Sequence, residues 1–166
     1  MLGSPVFAGA QAAVYGEVGI TNYGLTTNGG DFTYGSDRLG GMLGGFYNFP
    51  IESRFTAGID AHVGFGMHTN TGVKGAVAAR FGFVPHRNPL RPYLEIGGGV
   101  VSAHLPPESV TTGALAIGFG LDVRVTPSLD WRAVELESAA GGVSRSAGSA
   151  SLSTGVVYHF PGTRGH

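Results

Sequence analysis

The 166-residue sequence contains no cysteine, which excludes disulfides, thiolate metal sites and cysteine nucleophiles. Charge is also scarce: Asp, Glu, Lys and Arg make up 13% of the residues, against about 25% in ordinary soluble domains. That is too little to coat a surface facing water. Ten basic and eleven acidic side chains leave a formal net charge of −1, and without a Lys/Arg cluster there is no electrostatic footprint for nucleic acid. No stretch approaches the roughly 18 consecutive apolar residues of a membrane-spanning helix. GxSxG, Walker A and HExxH patterns are missing as well, and the glycine-rich GGMLGG and IGGGV lie within strand patterns and not at strand-to-helix turns, which makes them packing elements and not phosphate loops.

What the sequence does have is alternation. From Ser53 to His68 it reads SRFTAGIDAHVGFGMH. Phe55, Ala57, Ile59, Ala61, Val63, Phe65 and Met67 occupy one parity; Arg54, Thr56, Gly58, Asp60, His62, Gly64, Gly66 and His68 occupy the other. Period two marks a strand with two chemically different faces. The pattern recurs in eight segments, approximately 11–23, 37–49, 53–68, 73–85, 90–104, 112–125, 129–140 and 149–160. Each meets the roughly 9–11 residues that a tilted strand needs to cross a bilayer. A chain of this length makes one domain, so residues 11–160 are assigned to a barrel, 1–10 to a leader remnant or N-terminal extension around Ala8-Gly9-Ala10, and 161–166 to a C-terminal tail.

Connections after the second, fourth and sixth segments are short and proline-marked, at Pro50 to Glu52, His86 to Pro89 and Thr126 to Ser128. The others include LTTNGGDFTYGSD, HTNTG, LPPESVT and GGVSRSAG, most of them longer. Outer-membrane barrels pair short periplasmic turns with longer extracellular loops, which would put both termini on the periplasmic side.

Three features turn the apolar parity outward, toward lipid. The polar parity is studded with glycine, such as Gly44, Gly64, Gly97, Gly118 and Gly120, which suits a narrow interior that a few large side chains must fill. Outward aromatics gather near the short turns, Tyr47, Phe49, Phe55, Phe83, Trp131, Tyr158 and Phe160, as in an interfacial belt. The polar parity mixes signs, giving an expected lumen charge network of Glu17, Arg38, Asp60, His62, Arg80, Arg91, Glu95, Asp122 and Arg124, because enclosed charges must pair. The same parity carries Tyr15, Lys74, Tyr93 and His159.

The seventh segment, LDWRAVELESAA, breaks the rule. Asp130 and Arg132 lie on one parity, Glu135 and Glu137 on the other. A regular strand would aim two carboxylates at lipid, so the pattern predicts a bulge between Arg132 and Glu135.

With these strands, RPYLEIGGGV at 91–100 and the ending STGVVYHF at 153–160, the chain resembles the small outer-membrane β-barrel proteins of the OmpA/opacity-like class. The resemblance implies an all-β fold, an eight-stranded antiparallel up-and-down transmembrane β-barrel, in the outer membrane of a Gram-negative-type bacterium. It also implies that Phe160 serves as the C-terminal aromatic signal for the barrel-assembly machinery. Here PGTRGH follows that residue, whereas the class pattern ends on it.

Chemistry is sparse. Asp60 and His62 lie two apart on one face, about 6–7 Å by strand rise, and are expected to form a structural lumen pair. His62 and His68 lie six apart, roughly 20 Å, and cannot share a metal. A lipid-modifying hydrolase would need a Ser–His–acid set facing lipid near the extracellular rim, and the outward parity holds almost no polar residue. No catalytic residue, cofactor, metal or nucleic acid is expected. Phe32 and Tyr34 in the long loop offer a surface for contact. Small outward residues, Ala12, Gly16, Gly41, Gly45, Ala57 and Ala61, would permit close lateral packing. The expected role is that of a non-enzymatic structural or accessory barrel, a candidate subunit of an envelope assembly, with outer-membrane lipid and envelope proteins as partners. The alternatives are a narrow gated channel, a lipid-modifying enzyme and a soluble ligand-binding barrel.

Overall fold

The structure, a computed structural model, describes residues 11–26, 32–34, 38–52, 54–66, 72–85, 88–105, 108–142 and 146–160. For residues 26, 32–34, 38, 105 and 108 it describes the backbone alone. The N-terminal extension, the C-terminal tail, His68 and the side chains of Phe32 and Tyr34 lie outside the described residues.

The strands are β1 (Gln11–Thr26), β2 (Phe32–Tyr34), β3 (Arg38–Pro50), β4 (Phe55–Gly66), β5 (Gly72–Phe83), β6 (Leu90–Leu105), β7 (Glu108–Arg124), β8 (Leu129–Gly141) and β9 (Ser146–His159). Leaving β2 aside, each pairs antiparallel with its sequence neighbour, and β1 also pairs with β9 from Ala13↔His159 to Thr26↔Ser146. That last ladder closes an eight-stranded up-and-down barrel with no free edge. β2 adds three residues beside the end of β1, with Gly24↔Tyr34 as its first pair.

Burial follows parity around the wall. Asp60, His62 and Gly64 are buried along β4, while Ile59 and Val63 are 56% and 55% exposed. The same reversal holds at Leu39 (61%), Val77 (59%) and Leu115 (60%). A continuous outer wall of half-exposed Leu, Ile, Val and Phe around a charged interior cannot be a soluble surface. It is the lipid face of a transmembrane barrel.

Two sequence expectations need adjustment. The connections at the two ends differ less than the loop signals suggest: LPPESVT was expected as a loop, yet the β6–β7 ladder continues to Leu105↔Glu108. The reason is that alternation persists above the apolar band in polar form, with Thr111 Oγ1 donating to Ser102 Oγ at 2.9 Å across outward positions, so the hairpin extends past the lipid zone. Only the first connection at that end is long. The eighth segment likewise starts earlier, at Ser146.

The bulge is present where the parity conflict put it. On the β7 side, Leu121 pairs with Val134 and Asp122 with Arg132; on the β9 side, the register shifts between Arg132 and Glu135. Ala133 is the extra residue. Thr154 meets the carbonyl that this shift frees, its hydroxyl donating to Arg132 O at 2.8 Å while accepting from Trp131 Nε1 at 3.1 Å. A backbone acceptor on the wall is thereby satisfied, as a water-free surroundings requires.

Interior glycines make room for rings. Tyr93 lies opposite Gly120 in register, and a Cβ on Gly120 would stand 2.2 Å from Tyr93 Cζ; one on Gly44 would stand 2.5 Å from Tyr15 Cζ. Gly120→Ala is therefore expected to destabilise the barrel by about 1–3 kcal/mol, the usual cost of overpacking. Urea unfolding in micelles reads the change, and Gly113→Ala, with open space around its Cβ position beyond a 3.9 Å neighbour, is the comparison variant.

Candidate functional site: the filled lumen

The lumen is layered. Its loop end is closed by apolar side chains from five strands, among them Tyr23, Leu25, Val101, Val110 and Ala147, all no more than 8% exposed. A second apolar cluster, Ala13, Tyr15, Met42, Phe46 and Val157, lines the other half on the β1–β3 side. The charges pack beside this second cluster and between it and the first, with Arg80 Cζ 4.2 Å from the Phe46 ring.

Arg132 is the hub, 0% exposed. Its Nε and Nη2 donate to the two oxygens of Asp122 at 2.9 and 3.5 Å, and its Nη1 reaches Glu17 Oε1 at 2.6 Å and Glu135 Oε2 at 2.7 Å. Arg80 donates to Glu95 and, at 2.9 Å, to Asp122 Oδ2, so Asp122 joins the two guanidiniums. Tyr93 lies between them, its ring centroid 3.4 Å from Arg80 Cζ and 4.8 Å from Arg132 Cζ, and its hydroxyl donates to Glu135. Arg132 also stands 4.2 Å from the Tyr15 ring. Planar cations stacked on rings and forked onto carboxylates keep their charge at low solvation cost.

A second group lies nearer the loop end. Lys74 Nζ is 2.8 Å from Glu137 Oε2 and donates to Ser151 Oγ at 2.9 Å. His62 bridges from Glu137, 3.3 Å from Nε2, to Asp60, 2.9 Å from Nδ1. Tyr15 donates to Asp60 Oδ1 at 2.9 Å. At the short-turn mouth, Asp130 Oδ2 holds Arg91 at 3.0 Å and His159 at 2.8 Å.

Of the nine charges expected in the lumen, Glu17, Asp60, His62, Arg80, Glu95 and Asp122 are buried together there, and Arg91 is half-buried at the mouth. Arg124 is not enclosed. It has the inward parity and faces Asp130 in register, but β7 ends at this residue and it is exposed. The side chain of Arg38 lies outside the described residues; its backbone pairs with Thr21. The bulge predicted from the parity conflict implies that the charges of both parities of the seventh segment return to the lumen, and Asp130, Arg132, Glu135 and Glu137 are buried there.

Tyr47, Phe49, Phe55, Trp131, Tyr158 and Phe160 are 44–50% exposed on the outer wall near the short turns, and Phe83 is half-buried there against Phe55, with ring centroids 5.2 Å apart. Tyr47–Phe49 and Tyr158–Phe160 make edge contacts at 5.0 and 5.4 Å. Phe81 and Phe119 add a tier above them. The small outward residues are partly covered by outward neighbours: a Cβ on Gly41 would meet the Phe65 ring at 2.9 Å, and one on Gly16 would meet Leu43 at 3.4 Å. His62 and His159 are buried in the lumen, and His104 faces outward on the polar loop end, opposite Ser109. No hydrogen bond or carboxylate contact of His104 is seen among the described residues.

The closed antiparallel barrel recurs in solved structures. Neisserial surface protein A superposes with a TM-score of 0.55 at 17% identity over 89% of this chain and 99% of that one. Ail, the attachment invasion locus protein of Yersinia pestis, gives 0.57 at 15% identity over 90% and 99%. The N-terminal β-barrel domain of Pseudomonas aeruginosa OprF gives 0.54 at 18% identity over 87% and 97%.

The fold is that of the small outer-membrane β-barrels. No family model and no curated protein matches the sequence, so the likeness is one of architecture. It agrees with the strand number and topology described above.

Proposed function

We propose that this chain is a non-enzymatic outer-membrane barrel with a structural or accessory role in the cell envelope, carrying no solute through its lumen. The observation that supports this reading is the filled interior. Arg132 and its carboxylate partners cross-link β1, β7 and β8 at the centre of the barrel, Arg80 extends the network to β5 and β6, and the cluster around Tyr23 and Val101 packs the loop end. Eight strands leave an interior just wide enough for side chains, and here the side chains occupy it. In a planar bilayer the pure protein is expected to give no steady conductance above the bare membrane, and a persistent open level would contradict the filled-lumen reading.

Ail, one of the similar structures, is named for attachment and invasion and has been solved with a heparin analogue. The name supports a role in contact with other molecules over the passage of solutes. The lipid-modifying alternative predicts altered lipid A masses when the barrel is expressed; the present reading predicts unchanged masses. Native mass after gentle extraction from the membrane tests the accessory role. A stoichiometric complex well above the 17.0 kDa chain is the expected result, and a lone barrel in its micelle would leave a stand-alone envelope protein.

A further inference from the structure

The lumen holds more acid than base. Seven carboxylates are buried in it, against three Lys or Arg side chains and Arg91 at the mouth. Buried carboxylate oxygens without a hydrogen-bond partner occur on Asp60, Asp130, Glu135 and Glu137, and that of Asp60 belongs to a cluster of three potential metal donors. Asp60 and His62 come from β4 and Glu95 from β6, two strands away; the intervening β5 presents Arg80 opposite Glu95 and only alanines, Ala78 and Ala76, opposite Asp60 and His62. Small residues there let the three side chains converge. One donor atom from each lies within 4.8 Å of the other two, and all three residues are at most 5% exposed.

Asp60 Oδ1 takes the hydrogen bond from Tyr15 and lies 2.9 Å from His62 Nδ1, but Oδ2 has no partner. A fully buried carboxylate oxygen without a donor is costly. We propose that Asp60, His62 and Glu95 form a binding site for a divalent transition-metal cation of the Zn2+ type. An imidazole and two carboxylates are a suitable ligand set for such an ion, and its two positive charges would offset the acid surplus. Each carboxylate has two oxygens, so Glu95 can serve the ion while holding Arg80, and Asp60 while holding Tyr15; His62 offers one ring nitrogen to the ion by releasing the carboxylate which that nitrogen now faces. A cation bound at this depth is taken up as the barrel folds around it, and its binding adds to folding stability.

The test is refolding into detergent micelles with Co2+ or Zn2+, removal of free metal by gel filtration, and elemental analysis. One ion per barrel is expected to remain, with Co2+ visible bands and, in X-ray absorption of the Zn2+ form, a single imidazole among oxygen ligands. His62→Gln and Asp60→Asn should each weaken binding at least tenfold, since loss of even an outer-shell partner costs roughly 10–100-fold. Asp130→Asn, an equal charge change at the mouth, should leave affinity unchanged. Heat-shifted gel migration reports whether each variant has folded. If a ligand variant fails to fold, the ligand set seen in the wild-type absorption spectrum decides. No retained metal, a spectrum without imidazole, or equal weakening by Asp130→Asn would overturn the site and leave His62 hydrogen-bonded to Asp60 and facing Glu137.

Discussion

Replacing Arg132 with methionine is expected to destabilise the barrel by at least about 3–5 kcal/mol, the usual consequence of removing one partner from a buried ion pair. Here the loss is larger in kind, because one guanidinium serves Glu17, Asp122 and Glu135 together. Asp122 would keep Arg80, 2.9 Å away, but Glu17 would retain only Ser153 and Glu135 only the Tyr93 hydroxyl. Two nearly unpaired carboxylates in a sealed interior are the source of the penalty. It follows that Arg132→Met combined with Glu17→Gln and Glu135→Gln should recover most of the loss, since buried ion networks replaced as a unit are often neutral. Urea unfolding of all variants in the same micelle measures both effects. A single variant as stable as the wild type would remove Arg132 from the centre of the account.

Deleting Ala133 should be as damaging by a different route. Without the extra residue, everything beyond it on β8 shifts by one position relative to both neighbours, and a one-residue slip sends each side chain to the opposite face. Glu135 and Glu137, now 1% and 5% exposed in the lumen, would face lipid. There each costs up to a few kcal/mol by depth, less than the roughly 2–4 kcal/mol of a midplane Arg or Lys. Arg132 and Lys74 would lose partners at the same time. The deletion is expected to abolish the heat-shifted, folded band on a gel, whereas Ala133→Gly, which keeps the length, should cost no more than about 1 kcal/mol. A folded deletion variant would mean that the bulge does not set the register.

These two variants also show where the sequence was informative. The closed wall was readable because its two faces meet different surroundings, and Ile59, Val63, Leu115 and Ile117 keep one parity through whole strands. The bulge was readable because Glu135 and Glu137 violate that parity. The hub itself was not: which carboxylates Arg132 reaches depends on how β1, β7 and β8 are staggered around the closed barrel, and no single-strand pattern encodes distances across a lumen. Arg124 misled for a related reason, since parity assigns a face but not the level at which enclosure ends. The apolar closure at the loop end was hidden too, because Leu25, Val101 and Val110 occupy the parity that elsewhere carries charge. LPPESVT looked like a loop because its prolines and polar residues are turn signals, and the polar ladder that continues beyond the lipid zone is indistinguishable from loop composition.

The central claim is that the apolar face meets lipid, and the chain's one tryptophan offers the most direct test of it. Trp131 is half-exposed on the outer wall near the short turns, its indole nitrogen donating to Thr154. Its fluorescence should be measured in bilayers containing lipids brominated at shallow or deep acyl positions, and separately with aqueous iodide. The account predicts strong quenching by the shallow bromines, weaker quenching by the deep ones and little effect of iodide, as for an aromatic residue at the membrane interface. Strong iodide quenching with no response to brominated lipid would place the outer wall in water and contradict it.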